Sequence, residues 1–179
     1  IMCQQTQVAT VEPYYRRWLE RFPDVRALAD ASPEEVAAMW QGLGYYRRAR
    51  MLHQGAAHVL REGWPSNAAA WLAVPGIGRY TAGAIASITL GEAAPVVDGN
   101  VKRVYARLTN DSTEGPALES RAWSWAHQVI DASRPGDWNQ ALMELGATVC
   151  TPTNPRCLLC PVAEECEGRR SGRQHLLPS

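Results

Sequence analysis

The stretch Leu72–Ile88 reads LAVPGIGRYTAGAIASI. A helical pattern stops, Pro75-Gly76-Ile77-Gly78 turns the chain sharply, and a second helix begins. Proline cannot continue a helix, and glycine accepts backbone conformations closed to other residues. Gly76 and Gly78 let a partner approach the backbone and leave amide N–H groups unblocked. Those amides lie at the start of the second helix, where partial positive charge gathers. A nucleic-acid phosphate is their natural guest, so both glycines are candidate DNA-binding positions. A GxG turn alone describes an ordinary αα-corner equally well, and the surrounding sequence must decide.

Helical spacing extends on both sides of this turn. Val11, Tyr14, Trp18 and Phe22 recur every three or four positions, and Pro13 requires that helix to start near Thr10. Ser32-Pro33-Glu34-Glu35 is a capping box with proline at the first helical position, predicting a helix to about Trp40. Gly42-Leu43-Gly44 breaks it, and Tyr45–Glu62 forms the next helix, ended by Gly63. Asn67–Ala73, Gly78–Leu90, Asn100–Thr109, Ala117–Asp131 and Pro135–Val149 complete the set. No segment alternates with period two and none repeats. The tail after Glu167, GRRSGRQHLLPS, lacks periodicity and reads as a linker or frayed end. The fold class is all-α.

Composition sets bounds. The 179 residues are 46% hydrophobic and 20% charged, an ordinary globular balance. No apolar run is long enough to span a bilayer. Net charge is zero, which places the burden of any nucleic-acid reading on a local basic face. Among 18 basic residues Lys102 is the single lysine, so Schiff-base chemistry has one candidate.

Four of five cysteines cluster as Cys150-x6-Cys157-x2-Cys160-x5-Cys166. Four thiolates at that spacing can wrap one metal centre, with Pro152, Pro155 and Pro161 stiffening the loops between them. Their chemistry fits Zn(Cys)4 and a [4Fe–4S] cluster alike. Cys3 stands apart and reads as a small buried hydrophobe.

Eighteen residues after Tyr80, PVVDGNVKRVYAR places Asp98 before Gly99-Asn100. An aspartate there caps a helix. It also holds a carboxylate at a helix start, where it can face a developing cation. Lys102 and Arg103, in the following turn, suit phosphates or solvent.

Taken in order and spacing, VPGIGRYTAGAI, VVDGNVKRV and the cysteine pattern resemble the helix-hairpin-helix DNA glycosylases that carry an iron–sulfur cluster. MCQQTQVATV and GLGYYRRARML resemble their adenine glycosylase (MutY) branch. The resemblance runs from Ile1 to about Glu167. It implies the helix-hairpin-helix glycosylase fold, with a six-helix domain over residues 7–99. Residues 1–6 and 100–168 would form part of a [4Fe–4S] cluster domain, and residues 169–179 a linker or tail. The implied cluster ligands are Cys150, Cys157, Cys160 and Cys166. The implied partner is double-stranded DNA carrying adenine opposite 8-oxoguanine or guanine, bound by a monomer in the bacterial cytoplasm at the nucleoid, with no membrane.

Residue roles follow from the same resemblance. Endonuclease III relatives carry a Schiff-base lysine where this chain has Tyr80, which implies a monofunctional enzyme that removes a base without cutting the strand. Asp98 would stabilise the oxocarbenium-like sugar, positioned by Tyr80 and Asn100. Gln140 would contact the adenine edge. Gln5 and Tyr45 would wedge into the duplex beside the lesion, with Thr6 and Leu43 bordering 8-oxoguanine. Arg47, Arg48 and Arg50 suit a phosphate face or a simply solvated one; Lys102 and Arg156 are further phosphate candidates, and Glu144 reads as structural. A general-acid glutamate is expected immediately before Ile1, and a further C-terminal domain beyond Gln174-His175-Leu176. Glu12, about three helical turns away, is no obvious substitute. Two alternatives stand beside this reading: a thymine glycosylase acting on T·G mismatches, favoured less by Gln5-Thr6-Gln7 and Gln140, and a catalytically inactive DNA-binding fragment.

Overall fold

In the computed structural model, which describes residues 1–178, the chain is helical: α1 (Val8–Arg21), α2 (Val25–Ala29), α3 (Pro33–Trp40), α4 (Arg47–Glu62), α5 (Ala68–Trp71), α6 (Arg79–Thr89), α7 (Gly99–Leu108), α8 (Gly115–Val129), α9 (Pro135–Glu144) and α10 (Glu167–Arg170). No strand occurs among the described residues. Four helices start on side-chain caps. Asp24, Ser32, Asn67 and Asp98 accept hydrogen bonds from the N–H groups of Ala27 (2.8 Å), Glu35 (3.1 Å), Ala70 (2.8 Å) and Val101 (2.7 Å). Each bond satisfies a donor that the helix itself leaves unpaired.

Contacts divide the chain into two units, Ile1–Gly78 and the part from Arg79 onwards. In the first, α4 receives α2 and α3, and α1 packs on α3. Its core gathers Val11, Trp18, Phe22, Leu28, Val36 and Trp40. Trp18 stands edge-on to Phe22 at 4.9 Å and to Trp40 at 5.7 Å; such pairs add about 0.5–1.5 kcal/mol each beyond area burial. Trp40 is fully buried, and its indole N–H donates to the Gly44 carbonyl at 2.9 Å.

In the second unit α7 is the hub, contacting α8, α9, α10 and the π-helical turn Leu145–Val149. Val101, Tyr105, Ala106, Leu118, Ala122 and Trp123 form its core, joined by Leu177 from the tail. The tail therefore holds more order than its aperiodic sequence suggested: it carries α10 and buries Leu177.

Asp111 closes α7 against α8. It accepts hydrogen bonds from Tyr105 Oη (2.7 Å) and the Thr113 N–H (2.8 Å), with Arg121 at 3.4 Å. Burial alone would raise its pKa. The bonds from Thr113 and Tyr105 outweigh burial and hold the carboxyl well below the usual carboxylate range. A carboxyl depressed in the folded state stabilises the fold above its unfolded pKa, near about 4, and that contribution fades as pH falls below it. Asp111→Asn should therefore cost about 1 kcal/mol at neutral pH. In denaturant melts the gap to wild type should narrow as the solution is acidified; a pH-independent gap would remove Asp111 from the acid response.

Three local expectations change. α1 starts at Val8 rather than near Thr10, which leaves Pro13 inside the helix. The carbonyl that loses its partner belongs to Ala9, which is exposed to water. Helix α2 was not anticipated, although Asp24 is a cap signal. The helix expected to run to Val149 gives way to a π-helical turn just before Cys150.

Candidate active site

Asp98 heads α7 and is half-buried. Its Oδ1 is held by the Val101 N–H, and its Oδ2 accepts from Asn100 Nδ2 at 3.3 Å. Asn100 is oriented in turn: its Oδ1 accepts from Arg103 Nη2 at 2.8 Å. Arg103 also donates to the carbonyls of Cys150 (2.8 Å) and Gly146 (2.7 Å). A relay of hydrogen bonds thus runs from the carboxylate to the first cysteine of the cluster pattern. Arg103, read as a phosphate or solvent residue, is instead committed to this relay. Gly146 is required for it, because a Cβ there would meet Asn100 Cβ at 2.6 Å.

Tyr80 belongs to the same region. Burial first, then the negative charge of Asp98, push its phenol above the ordinary value. Its hydroxyl donates to Met143 Sδ at 3.0 Å. The segment leading to Asp98 is stapled by Asn139, which is 1% exposed. Asn139 Nδ2 donates to Ser87 Oγ and Ala94 O, both at 2.9 Å, and its Oδ1 accepts from the Val96 N–H at 3.3 Å. Gln140, next in sequence, is exposed and donates to the Gly136 carbonyl at 3.1 Å. Lys102 lies 3.6 Å from Glu119 and pairs with it. Arg156 is exposed.

In the first unit, Gln5 and Tyr45 are exposed and hold φ values of 57° and 47°. Non-glycine residues in that left-handed region carry local strain, which recurs at functional sites. Both of their loops are gripped by Arg48. Its guanidinium donates to the carbonyls of Met2 (2.8 Å), Gln4 and Leu43 (3.3 Å) and to Thr6 Oγ1 (3.0 Å). It also lies over the rings of Trp40 and Tyr45. Arg48 is therefore a clamp, not part of an exposed phosphate face; Arg47 and Arg50 are exposed. Arg48→Lys should lower unfolding free energy by about 2 kcal/mol, since one ammonium cannot reproduce the planar fork. Chemical denaturation measures this, and an unchanged midpoint would refute the clamp. Leu43 packs in the core, and Cys3, expected to be buried, is exposed in the turn before α1. Gly76 takes φ 85° with Met51 Cβ 2.7 Å from where its own Cβ would stand, so only glycine fits. Gly78 faces open space.

Cys150, Cys157, Cys160 and Cys166 line one small, partly open cavity, together with Arg107, Arg169 and Gln174. Among the described residues no three metal-binding side chains converge as they would on a single ion. Burial, then the charges of Cys150 and Cys166, push the Cys157 thiol up; burial does the same to Cys160. Arg107, 3% exposed, donates to Cys150 Sγ at 3.4 Å and to the carbonyls of Thr151 (2.6 Å), Pro152 (2.9 Å) and Leu177 (2.7 Å).

Sequence reasoning missed Asn139, Met143 and Arg107, and gave Arg48 a different role. Asn139 and Arg107 left one signal, a polar residue on the inward stripe of an amphipathic helix. Met143 and Arg48 left none.

Known proteins align with this arrangement. The family described as HhH-GPD superfamily base excision DNA repair protein matches residues 1–128. The chain is 49% identical to human adenine DNA glycosylase over 99% of its own length and 34% of that protein. It is 50% identical to the Arabidopsis thaliana adenine DNA glycosylase over 93% of its length and 30% of that protein. The chain thus spans about a third of the curated relatives it matches. The structure of a thermostable thymine-DNA glycosylase superposes with TM-score 0.83 at 24% identity, covering 95% of this chain and 81% of that one. A non-covalent endonuclease III–DNA complex gives TM-score 0.78 at 23% identity, covering 96% and 81%. Fold, motif order and family match agree: the chain belongs to the HhH-GPD superfamily of base excision DNA repair proteins.

Proposed function

We propose that this protein is a monofunctional DNA glycosylase that removes adenine mispaired with 8-oxoguanine or guanine. The observation that carries the proposal is Asp98, a half-buried carboxylate fixed at a helix start by Val101 and Asn100, with Tyr80 near enough to sense its charge. Cleavage of an N-glycosidic bond leaves positive charge on the sugar. A preorganised carboxylate stabilises that charge without having to reorganise. The base must leave the stack before it can be reached. An acid then protonates adenine N7, and water completes hydrolysis on the sugar carbon.

Asn100 and Tyr80 position the carboxylate and the sugar. Gln140 pairs with the adenine edge, its amide matching a donor beside an acceptor. Tyr45 and Gln5 wedge into the duplex, with Thr6 and the Leu43 segment beside the opposing base. Gly76 and Gly78 offer backbone to a phosphate, and Lys102 and Arg156 add charge along the strand. The proposed domains are a six-helix domain over residues 7–99 and a cluster domain of residues 1–6 with 100–168, bounds that differ from the contact division at Gly78.

The four cysteines fit a [4Fe–4S] cluster. They surround a shared cavity instead of converging on one point, and Arg107 already donates to one sulfur. When bound, such a cluster supplies a rigid brace for the loops of residues 150–166, which present Arg156.

The test is base release by the full-length gene product on duplexes holding A·8-oxoguanine, A·G or T·G. Adenine release without strand cleavage is expected. Thymine release instead would establish the T·G reading, and binding without release of either base would leave only a DNA-binding module.

A further inference from the structure

We propose that Gln174, in the tail beyond the last cysteine, is a hydrogen-bond donor to the iron–sulfur cluster and sets its reduction potential; this rests on the cluster reading above. Three observations lead there. Gln174 lines the same cavity as the four cysteines. Its side-chain oxygen is buried and has no hydrogen-bond partner. The segment that carries it is fastened: Arg173 N–H donates to Gly168 O at 2.8 Å, Leu176 N–H to Arg173 O at 2.9 Å, and Arg107 Nε to Leu177 O at 2.7 Å.

A buried carbonyl oxygen without a donor is costly, because it has given up water and gained no partner. The neighbouring arginines are already engaged. Arg107 spends its nitrogens on three carbonyls and Cys150 Sγ, and Arg169 Nη1 donates to Ala163 O at 3.1 Å. Apart from the apolar Val149, Pro155 and Ala163, the other side chains around the cavity end in sulfurs, which accept hydrogen bonds when they carry negative charge. An amide satisfies such surroundings by a half-turn about its last side-chain bond, which exchanges oxygen for NH2 without changing its shape. Gln174 then presents donors where the cavity offers acceptors. Donors to sulfur favour the more reduced, more negative state of a cluster and raise its potential.

Gln174→Met keeps side-chain length and removes the donor. The full-length protein is purified with its cluster, iron and acid-labile sulfide are assayed, and the potential is read by voltammetry. With iron content equal to wild type, Q174M should lower the reduced-to-oxidised ratio at a fixed ambient potential roughly tenfold, a shift of ~59 mV for one electron. An unchanged potential with the cluster intact overturns the proposal and leaves the cluster reading standing. Wild-type protein lacking iron and sulfide sinks both.

A second measurement does not depend on the variant's folding. Pulsed EPR of wild-type protein, labelled with ¹⁵N in the glutamine side-chain amide and reduced by one electron, should show nitrogen coupled to the cluster. Absence of that coupling refutes the donor role even if Q174M fails to retain iron.

Discussion

Replacing Asp98 by asparagine lowers adenine release from an A·8-oxoguanine duplex by about 10²–10³-fold, the usual loss when one preorganised electrostatic group is removed from a transition state. Duplex affinity stays near that of wild type. The substitution separates chemistry from folding because asparagine caps helices as well as aspartate does. The bond from the Val101 N–H is therefore retained, α7 keeps its start, and the melting temperature should barely move. What the substitution removes is the negative charge of residue 98, and with it, in the proposed mechanism, the stabilisation of a developing cation. Single-turnover kinetics with excess protein, read beside electrophoretic mobility shifts, measure both quantities. Wild-type release rates in the variant would take Asp98 out of the mechanism. Equal losses of binding and release would reduce it to a structural cap.

The parts of this molecule written in local sequence were the easiest to foresee. The serine cap at Ser32, the stop at Gly63 and the cap at Asp98 each depend on a few adjacent residues, and each stands where spacing put it. The hairpin turn was legible for the same reason, since Gly76 has a backbone conformation that other residues avoid. Long-range bonds left no such trace. Arg48 lies in a run with Arg47 and Arg50 that reads as a uniform basic face, yet its guanidinium reaches back 44 positions to Gln4. Arg103 looks like Lys102's twin in sequence. Only the fold shows that one serves Asn100 and Cys150 while the other pairs with Glu119. The tail misled for a related reason. A segment fastened by one arginine and one buried leucine needs no periodicity to be ordered.

Arg107 is the residue whose loss should damage the second unit most. Arg107→Met keeps an extended apolar stem in a site that is 3% exposed and removes every donor. The carbonyls of Thr151, Pro152 and Leu177 lose the bonds that join the cysteine loop and the tail to α7. Each buried carbonyl left without a partner costs about 1–3 kcal/mol. Partial relaxation toward water reduces the sum, so a loss of about 3–5 kcal/mol in unfolding free energy is expected, which is a large share of a domain's stability. Cys150 Sγ loses its donor at the same time. The variant should therefore purify with less iron per chain than wild type and unfold at lower denaturant concentration. Arg107→Lys should rescue little, because one ammonium cannot serve three carbonyls and a sulfur in a fixed plane. The relay from Asp98 through Asn100 and Arg103 also ends at Cys150, so loosening this loop should slow base release even though Arg107 touches neither carboxylate nor substrate. Iron content and unfolding midpoint at wild-type values in Arg107→Met would show that the loop is held by other means, and would remove the stated link between the cysteine cavity and the site at Asp98.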